Sequence, residues 1–180
     1  MASMPPGATM RIAELREHAK AGRTEELKVL LADLKVDDCI YEHMGARDAE
    51  GNTVFHLACL HGHIECAQLL EYSSCDTWAV TNEGVTALMM AAKQGHAALC
   101  KQLLPMADLE ARCKKGWSAF IHACASGQAD CAEVLVRADC DTKVKDNAGL
   151  TGKDVAGADP LRSADCMPAR PARQRCARLD

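Results

Sequence analysis

The sequence has few aromatic residues, no excess of basic charge and no long apolar run. Phe, Trp and Tyr make up 3% of its 180 residues, and 21 Lys and Arg stand against 25 Asp and Glu. The formal net charge of -4 leaves no broad basic surface for a nucleic-acid backbone. No stretch approaches the roughly 18 apolar residues that span a bilayer, and residues 1–10 do not resemble a secretory signal. We therefore expect a cytoplasmic chain, with the nucleus as the alternative, that binds neither nucleic acid nor membrane.

Cysteine is abundant, but no Cys-x-x-Cys pair is present among the 11 cysteines. Because that number is odd, the thiols cannot all be paired within one chain. In a reducing compartment most of them should act as small apolar residues. Redox regulation stays open as an alternative, and we expect exposed thiols at Cys39, Cys113, Cys166 and Cys176.

A motif recurs about every 33 residues, and its copies begin at Gly51, Gly84, Gly116 and, in part, Gly149. In each of the first three copies a run of small residues leads to a second glycine, a residue type that suits the left-handed turn at a helix end. These second glycines are Gly62, Gly95 and Gly127. Apolar residues then recur at intervals of three and four, as on one buried helical face. The pattern predicts a stack of helical hairpins.

These copies resemble the ankyrin repeat, whose pattern is T-P-L-H-x-A-A-x-x-G-H, then a leucine-rich helix and a G-A-D loop. The resemblance is carried by Thr53-Val54-Phe55-His56, Gly62-His63, Thr86-Ala87-Leu88-Met89, Gly95-His96 and Ser118-Ala119-Phe120-Ile121. The proline of the pattern is absent throughout, and Ser74 and Asp139 replace the loop glycine, which we expect to lower stability. The resemblance implies an all-α ankyrin-repeat solenoid of stacked helix-turn-helix units with β-hairpin-like loops.

The repeat domain is predicted to cover residues 11–157. We expect a degenerate N-terminal cap at 11–44, repeats at about 48–80, 81–112 and 113–145, and a half-repeat cap at 146–157. The spacing between the cap and the first full repeat predicts an insertion between Leu34 and Met44. Residues 1–10 and the Ala-, Arg- and Pro-rich residues 158–180 are predicted to be disordered.

The candidate metal site is the run Cys59-x-His61-x-His63-x-x-Cys66. We predict no metal there, because three of its four residues fall in ordinary packing or turn positions of the repeat and a tetrahedral site needs convergent ligands. No nucleophile, base and orienting group can be assigned, so we predict no catalytic residue, no cofactor and no enzyme. By resemblance, His56, His63 and His96 hydrogen-bond neighbouring loops, whereas His122 is displaced by one position from that slot.

The resemblance implies that a partner protein binds the hairpin tips and the first helices, along a concave face. The residues expected to contact it are Glu50, Asn52, Leu60, His61, Trp78, Glu83, Val85, Lys93, Gln94, Lys114, Lys115, Trp117 and Ser126. Charge along this face changes from acidic, at Glu50 and Glu83, to basic, at Lys114 and Lys115. Trp117 is the leading contact because tryptophan is enriched at binding hot spots. The alternative is that Trp117 folds back over the adjacent repeat.

The sequence therefore predicts a monomeric protein-interaction module, acting as an adaptor, scaffold or inhibitor. A redox- or metal-responsive regulatory protein that uses its cysteines is one alternative. The recognition arm of a larger multidomain protein is another.

Overall fold

The computed structural model describes residues 6–36, 44–73 and 75–157, which contain nine α-helices and no strand. The helices are α1 (Pro6–Ala21), α2 (Thr24–Val36), α3 (Val54–His61), α4 (Ile64–Tyr72), α5 (Ala87–Gln94), α6 (Ala97–Leu103), α7 (Ala119–Ala125), α8 (Ala129–Arg137) and α9 (Gly152–Gly157). None of these helices is long and apolar enough to cross a membrane.

Each full repeat begins its first helix with a hydroxyl cap. Thr53, Thr86 and Ser118 accept hydrogen bonds from the backbone N–H three residues on, at 3.4, 3.3 and 3.5 Å. In the last unit Asp154 takes the position of His56, and its carboxylate accepts from the Thr151 backbone N–H and hydroxyl at 2.9 and 2.7 Å. The half-repeat therefore starts its helix in the same way as the complete ones.

The helices stack in two rows. The inner row is formed by α1, α3, α5, α7 and α9, each packed on the next, and α2 with α4 and α6 with α8 pack in the outer row. Small residues in the inner row, such as Ala58 and Cys59 or Ala91 and Ala92, are fully buried, so the inner helices approach closely. The core is thus built from aliphatic and small side chains, with Phe55 and Phe120 as its two large aromatic residues.

The loops between repeats form hairpin-like tips that are joined edge to edge. Each tip closes on itself through a backbone bond, for example Thr81 N–H to Val85 O at 3.0 Å and Cys113 N–H to Trp117 O at 3.1 Å. Successive tips are linked by three further backbone bonds: Asn82 N–H to Glu50 O, Lys114 N–H to Glu83 O and Asn147 N–H to Lys115 O, at 3.1, 2.9 and 3.2 Å. The ladder fixes the spacing of the side chains that the tips display.

The structure corrects two expectations at the level of the fold. The first helix begins at Pro6 rather than at residue 11, and Cys113 is buried, with 7% of its surface exposed, instead of exposed. Cys113 closes the third tip, whose backbone turns its side chain into the core. Residues 37–43 of the insertion predicted between Leu34 and Met44, the tail at 158–180, and Cys39, Cys166 and Cys176 lie outside the described residues.

Candidate protein-binding face

The predicted contact residues divide by exposure. Glu50, His61, Trp78, Glu83, Lys93, Gln94, Lys114 and Lys115 are exposed. Leu60, Val85, Trp117 and Ser126 are half-buried, and Asn52 is buried. Asn52 does not face the solvent because its backbone N–H and side-chain amide donate to the Asp48 carboxylate at 2.6 and 2.9 Å. These two hydrogen bonds shape the first tip.

The exposed residues outside the Trp78 loop come from equivalent positions of successive units, at the C-terminal ends of α3 and α5 and at the tips. We call this set, with half-buried Leu60, Val85, Trp117 and Ser126, the inner face. Between α3 and α5, the residues Leu60, His61, Gln94 and His96 line a shallow depression of about 310 Å³. Trp78 lies elsewhere: it lines a cleft with residues of α5, α6 and the loop after α6.

Histidine side chains that follow glycines at the helix ends form hydrogen bonds from each unit to the one before it. The His63 ring donates from Nε2 to Lys20 O at 2.9 Å, and the His96 ring donates to Leu60 O at 3.1 Å. Each of these rings lies over the glycine of the preceding unit, Gly22 or Gly62. His63 and His96 therefore make the inter-unit hydrogen bonds that the resemblance implied. The bond from His96 also ties the turn after α5 to Leu60, a residue of the inner face.

His56 caps its own helix. Its Nδ1 accepts from Thr53 N–H at 3.3 Å and lies 2.9 Å from the Thr53 hydroxyl. Burial lowers the pKa of this ring, while the backbone of Ala79 and Val85 in the next unit acts to raise it. His56 Nε2 is buried and has no hydrogen-bond partner among the described residues, so His56 caps its own helix but makes no hydrogen bond to a neighbouring loop of the kind the resemblance implied.

Trp117 folds back toward the following tip, as in the alternative interpretation. Its Nε1–H donates to Asp146 Oδ2 at 3.1 Å, and its ring meets the His122 ring edge to face, with centroids 5.1 Å apart. The Lys115 ammonium lies 5.7 Å from the Trp117 ring centroid, within reach of a cation–π interaction. The half-buried ring of Trp117 therefore joins two tips, and alanine at this position would remove a structural contact as well as a binding surface.

His122 is the residue of this region that sequence reasoning left unassigned. It is 8% exposed, and neither ring nitrogen has a hydrogen-bond partner within the described part of the chain. Burial lowers its pKa to about 4, and the charges of Lys93 and Lys115 act in the same direction. The ring is therefore neutral at pH 7. Its position follows the fourth slot of the repeat pattern, where Leu57 and Met90 are also buried, and that correspondence could have predicted its burial.

The cysteine and histidine run of α3 and α4 does not converge. Cys59 and Cys66 are buried, and His63 is bonded to Lys20 O. Across the described part of the chain, no three His, Cys, Asp or Glu side chains are placed to hold a metal ion. Burial raises the pKa of Cys59 above its ordinary value and that of Cys75 to about 12, so these thiols stay protonated and weakly nucleophilic at neutral pH.

A row of helical hairpins with linked tips and an exposed inner face defines the chain as a repeat solenoid. A family model described as ankyrin repeats (3 copies) matches residues 68–146, and another, described as ankyrin repeats (many copies), matches residues 15–71. The chain belongs to the ankyrin-repeat family. Ankyrin repeats are in general protein–protein interaction modules and typically have no enzymatic activity.

Several curated proteins are similar to this chain. Ankyrin repeat domain-containing protein 63 of Homo sapiens is 31% identical over 132 residues, which are 70% of this chain and 32% of that protein. Its Mus musculus counterpart is 32% identical over 94 residues, 49% of this chain and 24% of that protein. E3 ubiquitin-protein ligase KEG of Arabidopsis thaliana is 30% identical over 110 residues, 59% of this chain and 7% of that protein. The chain thus spans about a third or less of each of these relatives.

Proposed function

We propose that this chain is a non-catalytic adaptor, scaffold or inhibitor that binds a partner protein through its inner face. The observation that carries the proposal is the set of exposed side chains at equivalent positions of successive units. His61, Lys93 and Gln94 end their helices pointing away from the core, and the tips add Glu83 and Lys115. Among the described contacts of the fold, two of these five side chains take part: the Lys115 ammonium lies over Trp117, and the His61 ring stacks on the His63 ring with centroids 6.3 Å apart.

The charge order along the tips supports a directional partner. The first two tips display Glu50 and Glu83, and the third displays Lys114 and Lys115. The backbone ladder holds these tips side by side. A partner with the opposite order of charges would be guided into one orientation, because complementary potentials select register and raise the association rate.

Charge reversal on the inner face tests the proposal. We expect the triple variant Lys93→Glu, Lys114→Glu and Lys115→Glu to lose partners that the unchanged chain captures from cell extract, with recovery lower by roughly tenfold. The side chains are exposed, so the fold should persist. Quantitative mass spectrometry of the captured proteins, combined with thermal unfolding, measures both effects.

The matched control is Lys101→Glu, a charge reversal at an exposed lysine of the outer helix α6. It should leave the inner-face partners in place. If the triple variant and the control recover the same proteins in the same amounts, the inner face is not the binding surface.

The length of the relatives supports a role as the recognition arm of a larger protein, since the aligned region makes up 32% or less of each. Cytoplasmic location, with the nucleus as the alternative, and a monomeric state are part of this proposal. Sedimentation of the purified chain tests the second.

A further inference from the structure

Two apolar clefts open among the outer helices and the loops beside them. The first, of about 190 Å³, is lined by Trp78, Val80, Leu88, Leu103 and Met106 among others. The second, of about 290 Å³, lies between α4 and α6 and includes Tyr72, Leu99, Leu103 and Met106. Because both clefts share Leu103 and Met106, they form one surface, which we call the paired clefts. No residue of the inner face lines either cleft.

Exposed aromatic rings stand at the edges of the paired clefts. Tyr72 is 83% exposed and Trp78 is 64% exposed, and neighbouring Val80 is 40% exposed. The Trp78 backbone N–H donates to Asp76, whereas its indole contributes to the wall of the first cleft. Large apolar groups left in water beside an apolar cleft are typical of a docking surface, and tryptophan is the residue type most enriched at binding hot spots.

The charged side chains that line the paired clefts are carboxylates, and the Arg47 guanidinium lies beside the first cleft, where it donates to Val80 O. Asp108 lines the first cleft and Glu71 lines the second, while neither lining includes a Lys, Arg or His. Asp76, also exposed, precedes Trp78 by two positions. An apolar surface with carboxylates at its edge is complementary to apolar side chains flanked by cationic ones.

We propose that the paired clefts are a second docking surface, which binds a basic amphipathic segment of a partner protein. Leucine-sized side chains of the segment enter the clefts on either side of Met106. Its Lys or Arg side chains meet Asp108 and Glu71. The surface is separate from the inner face, so this proposal can be rejected without rejecting the function proposed above.

A labelled peptide of sequence Lys-Leu-Leu-Lys-Lys-Leu-Leu-Lys serves as the probe, and its fluorescence anisotropy reports binding to the full chain. We expect saturable binding that weakens with salt, and binding at least about tenfold weaker to the Trp78→Ser variant, as for a hot-spot residue. Exchanging Glu71→Gln and Asp108→Asn should weaken binding several-fold, because the isosteric amides keep the shape and remove the charge. Asp130→Asn, at an exposed carboxylate of α8, is the control that should bind like the unchanged chain.

Tryptophan fluorescence shows whether the peptide binds at Trp78. In the Trp117→Phe background Trp78 is the one remaining tryptophan, since the chain has 2. Its emission should be that of an exposed indole and should shift to the blue as peptide is added.

The proposal is overturned if the matched peptide Glu-Leu-Leu-Glu-Glu-Leu-Leu-Glu binds equally well, or if Trp78→Ser leaves binding unchanged. Blue-shifted emission before peptide is added would mean that another part of the chain covers the clefts. Self-association that the peptide reverses would assign the surface to a second copy, and either result also overturns the proposal.

Discussion

Replacing Gly62 with alanine should destabilise the protein by about 2–3 kcal/mol, as measured by urea unfolding. Gly62 ends α3 with φ at 76°, a left-handed conformation that costs a residue with a side chain about 1–2 kcal/mol. A Cβ at this position would lie 2.6 Å from the His96 ring. The ring must move, so its 3.1 Å hydrogen bond to Leu60 O is lost, at a cost of about 1 kcal/mol.

Gly149→Ala separates the two contributions to this loss. Gly149 has the same backbone conformation, with φ at 80°, but nothing lies within 4 Å of a Cβ built there. We therefore expect only the backbone cost, about 1–2 kcal/mol. His96→Ala in the Gly62→Ala background should add little further loss, because the hydrogen bond from His96 to Leu60 O is already broken. Equal destabilisation by both glycine substitutions would show that the His96 contact adds nothing to stability.

The positions of these glycines could be predicted because every unit has the same local backbone structure and therefore the same residue requirements at its helix ends. Glycine is favoured where the chain turns left-handed after a short helix, and a hydroxyl residue is favoured before the helix because it caps it. Gly62 and Gly95 end α3 and α5 in that conformation, as expected. The small residues of the inner helices were likewise predictable, because a close approach of helices excludes larger ones.

The contacts that shape the surface could not be predicted in this way. Trp117 bonds to Asp146, 29 positions further on, and no periodic pattern specifies which of its possible partners an indole will reach. The sequence placed Trp78 with the inner-face residues, whereas the structure places it on the paired clefts. After α6 the chain forms a 3-10 turn at Leu104–Met106, which contains Pro105, and Met106 lines the same cleft as Trp78. This turn places Met106 in the lining of both clefts. The shared repeat pattern does not describe this loop, so it could not predict that position.

Acid should destabilise the protein through His122 before its carboxylates begin to titrate. In the unfolded chain the ring has a pKa near 6.5, and in the folded chain burial lowers its pKa to about 4. Above pH 6.5 the ring is neutral in both states, so the full stability is present. As pH falls below that value the unfolded state binds a proton that the folded state does not, and stability is lost progressively until about pH 4.

The loss through His122 between pH 7 and pH 5 should be about 2 kcal/mol, from roughly 1.5 pH units at about 1.4 kcal/mol each. Urea unfolding at the two pH values measures it. His122→Phe keeps an aromatic edge against Trp117 and cannot titrate, so its pH dependence should be smaller by that amount. Some dependence will remain, because burial also lowers the pKa of His56. Partial burial also lowers the pKa of His61, so His61→Asn should remove a further part of the pH dependence.

The lysines near His122 connect this pH dependence to the inner face. Lys93 and Lys115 lower the pKa of the ring by charge, after burial. Replacing both with methionine should raise the His122 pKa toward its ordinary value, as followed by the NMR shift of its ring protons. A protein that neutralises the same two lysines on binding should have the same effect, and its binding would then be accompanied by proton uptake near pH 5. Titration of His122 near pH 6.5 in the unchanged chain, or an unaltered pH dependence in His122→Phe, would contradict this account of acid sensitivity.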